Sequence, residues 1–92
     1  MYETGWLVRS QAGHDKGTLL CVAGREGALL LLADGKRRKL AAPKRKKPGH
    51  VVPVDEGHFD HPALQALRRG EPVTDRALRR ALAAFREESR RV

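Results

Sequence analysis

Short apolar runs separated by turn-forming residues fill the first half of the chain and limit what it can fold into. The longest run, residues 28–33, has six residues, far fewer than the roughly 20 that a membrane-spanning helix needs. Runs of this length between glycines are typical of buried strands. The leucines of this run also fit a buried helix segment, but its short length and flanking glycines favour a strand. The pattern predicts a small barrel of short strands.

About five strands are expected, at a spacing of roughly ten residues. They cover residues 6–8, 18–23, 29–32, 36–40 and 51–54. Asp34 and Gly35 form a strong two-residue turn signal, so residues 36–40 are expected to pair with the strand before them. Pro43 and Pro48 bracket a second basic stretch and favour an extended backbone there. Pro53 places the last strand at a sheet edge.

The composition changes at about Asp55, after which alanine, leucine and arginine recur at helical spacing. A short helix is expected over residues 62–69, with Asp60 as its N-cap and Gly70 after its end. Thr74 is the expected N-cap of a second helix. The apolar stripe of that helix consists of Leu78, Leu82 and Phe85. The expected organisation is a β-barrel over residues 1–55 and a helical extension over residues 56–92 that packs on it.

The basic residues are distributed unevenly along the chain. Eight of the 19 lie within residues 36–47, which contain no acidic residue, and the other 11 equal the 11 acidic residues in number. The formal net charge of +8 is therefore carried by one short segment. Its basic members are Lys36, Arg37, Arg38, Lys39, Lys44, Arg45, Lys46 and Lys47. An otherwise neutral protein with one cationic segment offers a docking place for a polyanion.

Binding of a nucleic acid by this segment would depend steeply on salt. Contacts with about six to eight phosphates give a log–log slope of affinity against salt of roughly −4 to −7. Arginines would form bidentate phosphate contacts, whereas lysines would act as point charges. A solvated cationic face without a ligand is the alternative, and the concentration of charge without acidic partners favours binding.

The glycines of residues 13–17 mark a second candidate binding element. They permit positive φ and bring backbone amides near a phosphate, although an ordinary hairpin turn needs the same geometry. This stretch resembles the start of a KOW motif, in which a glycine is followed after two or three residues by Lys-Gly. The matching residues are Ser10-Gln11-Ala12-Gly13-His14-Asp15-Lys16-Gly17.

A later run extends the resemblance. Residues 33–40, followed by Pro43-Lys44 and His50, are similar to small bacterial KOW domain-containing RNA-binding proteins. That branch is similar to a KOW protein of the archaeal and eukaryotic large ribosomal subunit. The resemblance covers roughly residues 3–54, and residues 70–82 also fit the branch. Leu20 departs from it, because many KOW motifs have glycine at that position.

The resemblance implies a mainly β fold, an SH3-like five-stranded barrel followed by a short helix and a C-terminal helix. It also implies RNA binding by the glycine loop and by the Asp34-Gly35 turn with its basic strand. The expected RNA-binding residues are Gly13, Lys16, Gly17, Lys36, Arg37, Arg38, Lys39, Lys44, Arg45, Lys46 and Lys47. Ribosomal or other structured RNA is the expected partner, with the ribosome or ribosomal proteins as further candidates. A cytoplasmic monomer without a cofactor or membrane partner is expected.

The remaining polar side chains indicate neither catalysis nor metal binding. His58, Asp60 and His61 lie near His50 in the sequence, but their spacing matches no well-defined metal site. Cys21 lies in an apolar strand and is expected to be a buried thiol rather than a nucleophile. No catalytic or metal site is predicted, and the protein is expected not to be an enzyme.

The aromatic residues bear on how RNA would be recognised. They are Tyr2, Trp6, Phe59 and Phe85. Trp6 and Phe85 are expected in the core, so too few rings are left for stacking single-stranded bases, and recognition through backbone and shape is favoured. A protein-interaction module of the translation or transcription machinery and a nonspecific DNA-binding protein are the alternatives. Whether Arg76, Arg79 or Arg80 of the second helix also touch RNA is left open.

Overall fold

The computed structural model describes residues 1–90 and contains one antiparallel sheet and two helices. The strands are β1 Leu7–Ser10, β2 Leu19–Glu26, β3 Leu29–Ala33, β4 Lys44–Lys46 and β5 Val51–Asp55. The helices are α1 Pro62–Arg68 and α2 Asp75–Ser89, and single 3-10 turns occur at Gly13–Asp15 and Pro48–His50. The spatial order of the strands is β4-β3-β2-β1-β5. The predicted mainly β architecture with two following helices is confirmed.

The continuous apolar run of β2 is buried from two sides, whereas in β3 Leu30 and Leu32 are buried and Leu29 and Leu31 are half-buried. Alternate residues of β2 enter different cores, because successive side chains of a strand point to opposite faces. Leu19 and Cys21 face the helices, whereas Leu20 and Val22 face away from them. A run without polar alternation is what a strand between two apolar layers requires. Leucine is therefore accommodated in strands here despite its preference for helices.

Two apolar clusters hold the fold together. The helix-side core consists of Leu7, Leu19, Cys21, Ala33, Ala63, Leu64, Leu78, Ala81 and Leu82. The second core consists of Val8, Leu20, Val22, Leu30, Leu32 and Val51, with Tyr2 and Trp6 packed against it. The first cluster draws on both the sheet and the helices, so α1 and α2 are attached to the sheet by buried apolar contacts.

The edge strands β4 and β5 are consecutive in the chain and are joined only by Lys47 and the turn Pro48–His50. The five peptide steps from Lys46 to Val51 span at most about 18 Å when fully extended. In a flat sheet, four strand spacings would separate the two edges by about 19 Å. Val51 of β5 also packs in one core with Leu30 and Leu32 of β3, three positions away in the sheet. The sheet is therefore curled, with the second core on its concave side. No ladder joins β4 to β5 within residues 1–90, so the sheet is open rather than closed.

The prediction of a strand over residues 36–40 was wrong. The Asp34 carboxylate accepts hydrogen bonds from the backbone N–H groups of Lys36 and Arg38, both at 2.9 Å. The backbone N–H groups of Asp34 and Gly35 donate to the carbonyl oxygen of Arg38. These bonds close a compact loop, so the backbone groups needed for a hairpin ladder are already used. The fourth strand begins ten residues after Asp34, within the predicted extended stretch between Pro43 and Pro48.

The helix boundaries agree with the sequence except at one cap. The N-cap of α1 is His61, whose Nδ1 accepts from the N–H of Ala63 at 3.1 Å, and not the predicted Asp60. The Asp60 carboxylate instead accepts from the side chain of Gln65. Thr74 caps α2 as predicted, accepting from the N–H of Ala77 at 3.0 Å. None of the helices within residues 1–90 combines the length and apolar character needed to cross a membrane.

Candidate nucleic-acid interface

The glycine loop, defined as residues 12–17, is a tight and internally bonded turn. Gly13 and Gly17 have φ of +77° and +87°, a conformation that L side chains rarely adopt. The N–H of Gly17 donates to Ser10, and the N–H of Thr18 donates to Asp15, each at 2.8 Å. The loop presents the exposed Lys16 at its tip. Its glycines are therefore required by backbone geometry, whatever the loop binds.

Lys46 connects the glycine loop to the edge strand β4. It pairs with Leu30 in the β3–β4 ladder, so its side chain lies on the concave face. The residue is only 7% exposed, and its ammonium donates to the carbonyl oxygen of Ala12 at 2.7 Å. The aliphatic stem covers the end of the second core while the charge reaches a polar partner. Lys46 thus holds the loop in place.

A second link joins the same loop to the basic segment. The guanidinium of Arg38 donates to the carboxylate of Asp15 at 2.9 Å, and the Asp15 side chain is 9% exposed. Burial tends to raise the pKa of Asp15. Its hydrogen bond and charge interaction with Arg38, together with the charges of Lys46 and Lys44, hold that pKa below its ordinary value. The ionised carboxylate therefore connects the glycine loop to the loop after β3.

These links place the two predicted binding elements side by side. A groove of about 400 Å³ lies between the glycine loop and β4. It is lined by Ala12, Gly13, Leu29, Lys44, Arg45, Lys46, Lys47 and His50. Residues more than 30 positions apart in sequence thus form one basic groove, which is called the β4 groove below.

The segment of residues 36–47 lacks acidic residues, but acidic residues elsewhere in the chain reach two of its arginines. Arg38 pairs with Asp15, and Arg45 pairs with Glu26 through an Nε–Oε1 contact of 2.6 Å. The hydrogen bond from Arg45 lowers the pKa of Glu26. Both side chains of this second pair are 57% exposed, so it contributes little to stability and is open to exchange for another anion.

The other basic residues of the segment form no ion pair within residues 1–90. They are Lys36, Arg37, Lys39, Lys44, Lys46 and Lys47. Lys46 is committed to Ala12, and Lys44 is half-buried in the groove wall. The expected contact set is thereby divided into two groups. Arg38 and Lys46 support the loops, Arg45 is paired with Glu26, and the other five basic residues are available to a ligand.

Sequence reasoning did not assign Arg9 to this surface. Arg9 is exposed in the middle of β1, and its guanidinium donates to the carbonyl oxygen of Gly17 at 2.9 Å. The sequence did contain a signal for Arg9, because this charged residue directly follows the apolar residues Leu7 and Val8 of β1. His50 was noted as part of the KOW-like pattern and in the metal-site alternative, and it lines the β4 groove.

The four aromatic side chains pack against the two cores. Tyr2 and Trp6 meet edge to face with ring centroids 5.6 Å apart beside the second core. Phe59 and Phe85 do the same at 5.2 Å beside the helix-side core. None of them lines the β4 groove. The groove therefore offers cationic side chains rather than a stacking platform.

Cys21 is fully buried in β2, as the sequence predicted, and burial raises the pKa of its thiol to about 12. Within residues 1–90, no group of three or more histidine, cysteine, aspartate or glutamate side chains is arranged to hold a metal ion.

No protein-family model matches the chain, and no curated protein matches it in sequence.

Proposed function

We propose that this protein binds structured RNA through the β4 groove and the glycine loop. The observation that carries the proposal is the direct bonding of the glycine loop to the basic segment by Lys46 and Arg38. Two elements singled out independently, one by its glycines and one by its charge, share one surface. Such a surface suits a phosphate backbone, which is recognised by concentrated cations and backbone N–H groups.

Basic side chains that are already bonded within the protein reduce the expected electrostatic contribution to RNA binding. With Arg38 and Lys46 bonded internally and Arg45 paired, five cations of the segment remain for phosphates. Five phosphate contacts give a log–log salt slope of about −3.5 to −4.5. This is shallower than the value expected when the whole segment binds.

The position of the aromatic rings supports structured RNA as the ligand. Modules that read single strands stack bases on exposed aromatics, and here the rings pack against the cores. Recognition through the backbone suits a duplex or hairpin. The KOW-like residues around Gly13, Lys16 and Gly17 favour ribosomal RNA among the structured RNAs.

The finer fold assignment, an SH3-like barrel of the KOW type, forms part of the same proposal. It is supported by the five-stranded antiparallel order, the curled sheet and the single 3-10 turn that joins β4 to β5. In this interpretation the second core is the interior of a partly open barrel. The basic groove then lies at one rim, where the glycine loop meets β4.

Fluorescence anisotropy with a labelled RNA hairpin at several salt concentrations tests the proposal. The variant Lys44→Gln with Lys47→Gln removes two charges that line the groove. The control Arg86→Gln with Arg90→Gln removes two charges elsewhere, from the C-terminal end of α2. We expect the groove variant to bind more weakly and to lower the salt slope by about 1.5. The control should retain the parent slope.

Failure of the parent protein to bind any hairpin would overturn the proposal, as would binding that does not respond to salt. An equal affinity for DNA duplexes in competition would favour nonspecific DNA binding instead. Protein partners that are retained from a cell extract after nuclease treatment, with no RNA binding, would favour a protein-interaction module.

A further inference from the structure

The loop after β3, residues 34–40, is docked against the first turns of α2. A Cβ atom at Gly35 would collide with the backbone oxygen of Asp75 and lie 3.1 Å from the backbone nitrogen of Arg79. The backbone N–H of Leu40 donates to the Asp75 carboxylate at 2.8 Å. Both ends of the loop are therefore fixed to the same helical turn.

The interior bonds of this loop leave its basic side chains facing outward. Asp34 accepts from two backbone N–H groups inside the loop, and Arg38 is bonded to Asp15. Lys36, Arg37 and Lys39 are exposed. The loop thus presents three cations on a backbone that is already ordered, so that little entropy is lost when they meet a ligand.

The basic surface is continued on α2 by Arg79 beside the loop and, on the side of the helix toward α1, by Arg76 and Arg80. Arg76, Arg79 and Arg80 are exposed, and their i, i+3 and i, i+4 spacing makes them neighbours on one side of the helix. The side chain of Arg79 lies against Gly35, the residue before Lys36. These arginines form no ion pair with any acidic residue in the part of the chain that the structure describes.

The nearby carboxylates have other partners. Asp75 accepts from the loop backbone, and Glu71 pairs with Arg69 at 2.8 Å. Like charges three or four positions apart destabilise a helix, and the buried contacts of α2 come from its other side, from Leu78, Ala81 and Leu82. No ion pair within residues 1–90 therefore accounts for the charges of these arginines, and an anionic partner does.

We propose that α2 contributes a second RNA-binding patch. In this α2–loop patch, Arg76, Arg79 and Arg80 are added to the loop cations Lys36, Arg37 and Lys39, which are already counted in the proposed function. It rests on the proposed RNA binding and extends it, since the Asp15–Arg38 pair joins the patch to the glycine loop and so to the β4 groove. The patch contacts the phosphate backbone, and one continuous RNA crosses both regions.

A charged patch of this kind could also meet an anionic membrane surface. Continuity with the β4 groove favours RNA. So does the buried state of the α2 stripe, because Leu78 and Leu82 are at most 1% exposed and offer no apolar face for insertion into lipid. Vesicles of anionic lipid therefore serve as a comparison in the experiment.

The test compares two charge-matched double variants by anisotropy with the same RNA hairpin across a salt series. Arg76→Gln with Arg79→Gln removes two charges of the α2–loop patch and keeps good helix formers in place. The control again is Arg86→Gln with Arg90→Gln, at the C-terminal end of the same helix. These two residues lie about 9 and 15 Å along the axis of α2 from Arg80.

We expect the patch variant to bind roughly 10- to 50-fold more weakly at 0.1 M salt and to lower the salt slope by about 1.5. The control variant should keep the parent slope. Thermal melts of both variants report that the fold is retained. Equal slopes for the two variants, or binding of the parent to anionic vesicles in preference to RNA, would overturn the second patch.

The failure of this inference is distinguishable from failure of the proposed function. If the parent binds RNA, and Lys44→Gln with Lys47→Gln lowers its affinity but the α2 variant does not, the β4 groove is supported and the second patch is overturned. A parent that binds no RNA removes both.

Discussion

The ammonium of Lys46 lies 2.7 Å from the carbonyl oxygen of Ala12, and the two residues are 34 positions apart. This bond attaches the glycine loop to an edge strand whose other side chains are exposed or half-buried cations. Lys46 is counted among the expected phosphate-binding residues, yet its charge is used within the protein. Its contribution to RNA binding would then be indirect, through the position of the loop.

Replacing Lys46 by methionine tests this structural role. Methionine keeps most of the apolar stem and removes the ammonium, which leaves the Ala12 carbonyl without this donor. We expect the free energy of unfolding in urea to fall by about 1–2 kcal/mol. Lys47→Met, at an exposed neighbour in the same groove, should change it by less than about 0.5 kcal/mol. Equal effects at the two positions would show that the bond to Ala12 is not important.

The buried carboxylate of Asp15 predicts an acid-sensitive contribution to stability. Its pKa in the folded protein is held below the ordinary value. Stabilisation is therefore complete above the pKa of the unfolded chain, about 3.9, and is lost as pH falls through the lower folded value. At pH 7, the free energy of unfolding of Asp15→Asn should be about 1–2 kcal/mol lower than that of the parent. Its stability should decline less than that of the parent between pH 5 and pH 3.

Urea titrations at pH 7, 5, 4 and 3 measure both effects. Glu56→Gln is a suitable control, since Glu56 is an exposed carboxylate without an ion pair among residues 1–90. It should retain the acid dependence of the parent. A similar acid dependence in Asp15→Asn and the parent would argue against an ionised, buried partner for Arg38.

Gly35 should be the least replaceable of the turn glycines. Its φ is +78° and a Cβ atom there would meet the backbone of α2, whereas Gly27, with φ of +60°, has open space around it. Gly27→Ala should cost about 1–2 kcal/mol for the backbone conformation alone. Gly35→Ala should cost about 2–5 kcal/mol, because the loop must also move away from α2. Chemical unfolding of the two variants gives this comparison, and equal costs would contradict the docking of the loop on α2.

The thiol of Cys21 should be inert in the folded protein. It is fully buried, and burial raises its pKa to about 12, so neither access nor the thiolate needed for reaction is available near pH 8. Labelling with a colorimetric thiol reagent should proceed only at the rate of unfolding and should accelerate with urea. Rapid stoichiometric labelling without denaturant would contradict this placement. Cys21→Ala provides the blank.

The strands were predictable where side chains alternate between two apolar layers or where proline restricts the backbone. In residues 29–32, Leu30 and Leu32 enter the second core while Leu29 and Leu31 are half-buried on the other face, and Pro53 lies in an edge strand as expected. The error at residues 36–40 arose from Asp34. Its carboxylate accepts two N–H groups of the following loop, and that local preference competes with a hairpin turn that the same Asp-Gly pair would also suit.

The candidate site was predictable in composition and only partly in arrangement. Counting charges identifies the basic segment, but pairing of Arg38 with Asp15 and of Arg45 with Glu26 depends on how distant parts of the chain meet. The same holds for Lys46, whose exposed or buried state depends on the register of β4 against Leu30. The N-cap of α1 is His61 rather than Asp60, although aspartate is the residue that capping preferences favour.

The two open edges of the sheet have a consequence for self-association. An unpaired strand edge invites strands of other chains to add to it, and lysine or proline at the edge discourages this. The edge β4 is Lys-Arg-Lys, and the edge β5 carries Pro53 between the exposed Val52 and Val54. Charges suited to a phosphate backbone thus also protect the protein against aggregation. Variants that neutralise the whole of β4 should therefore lose solubility along with any affinity for RNA.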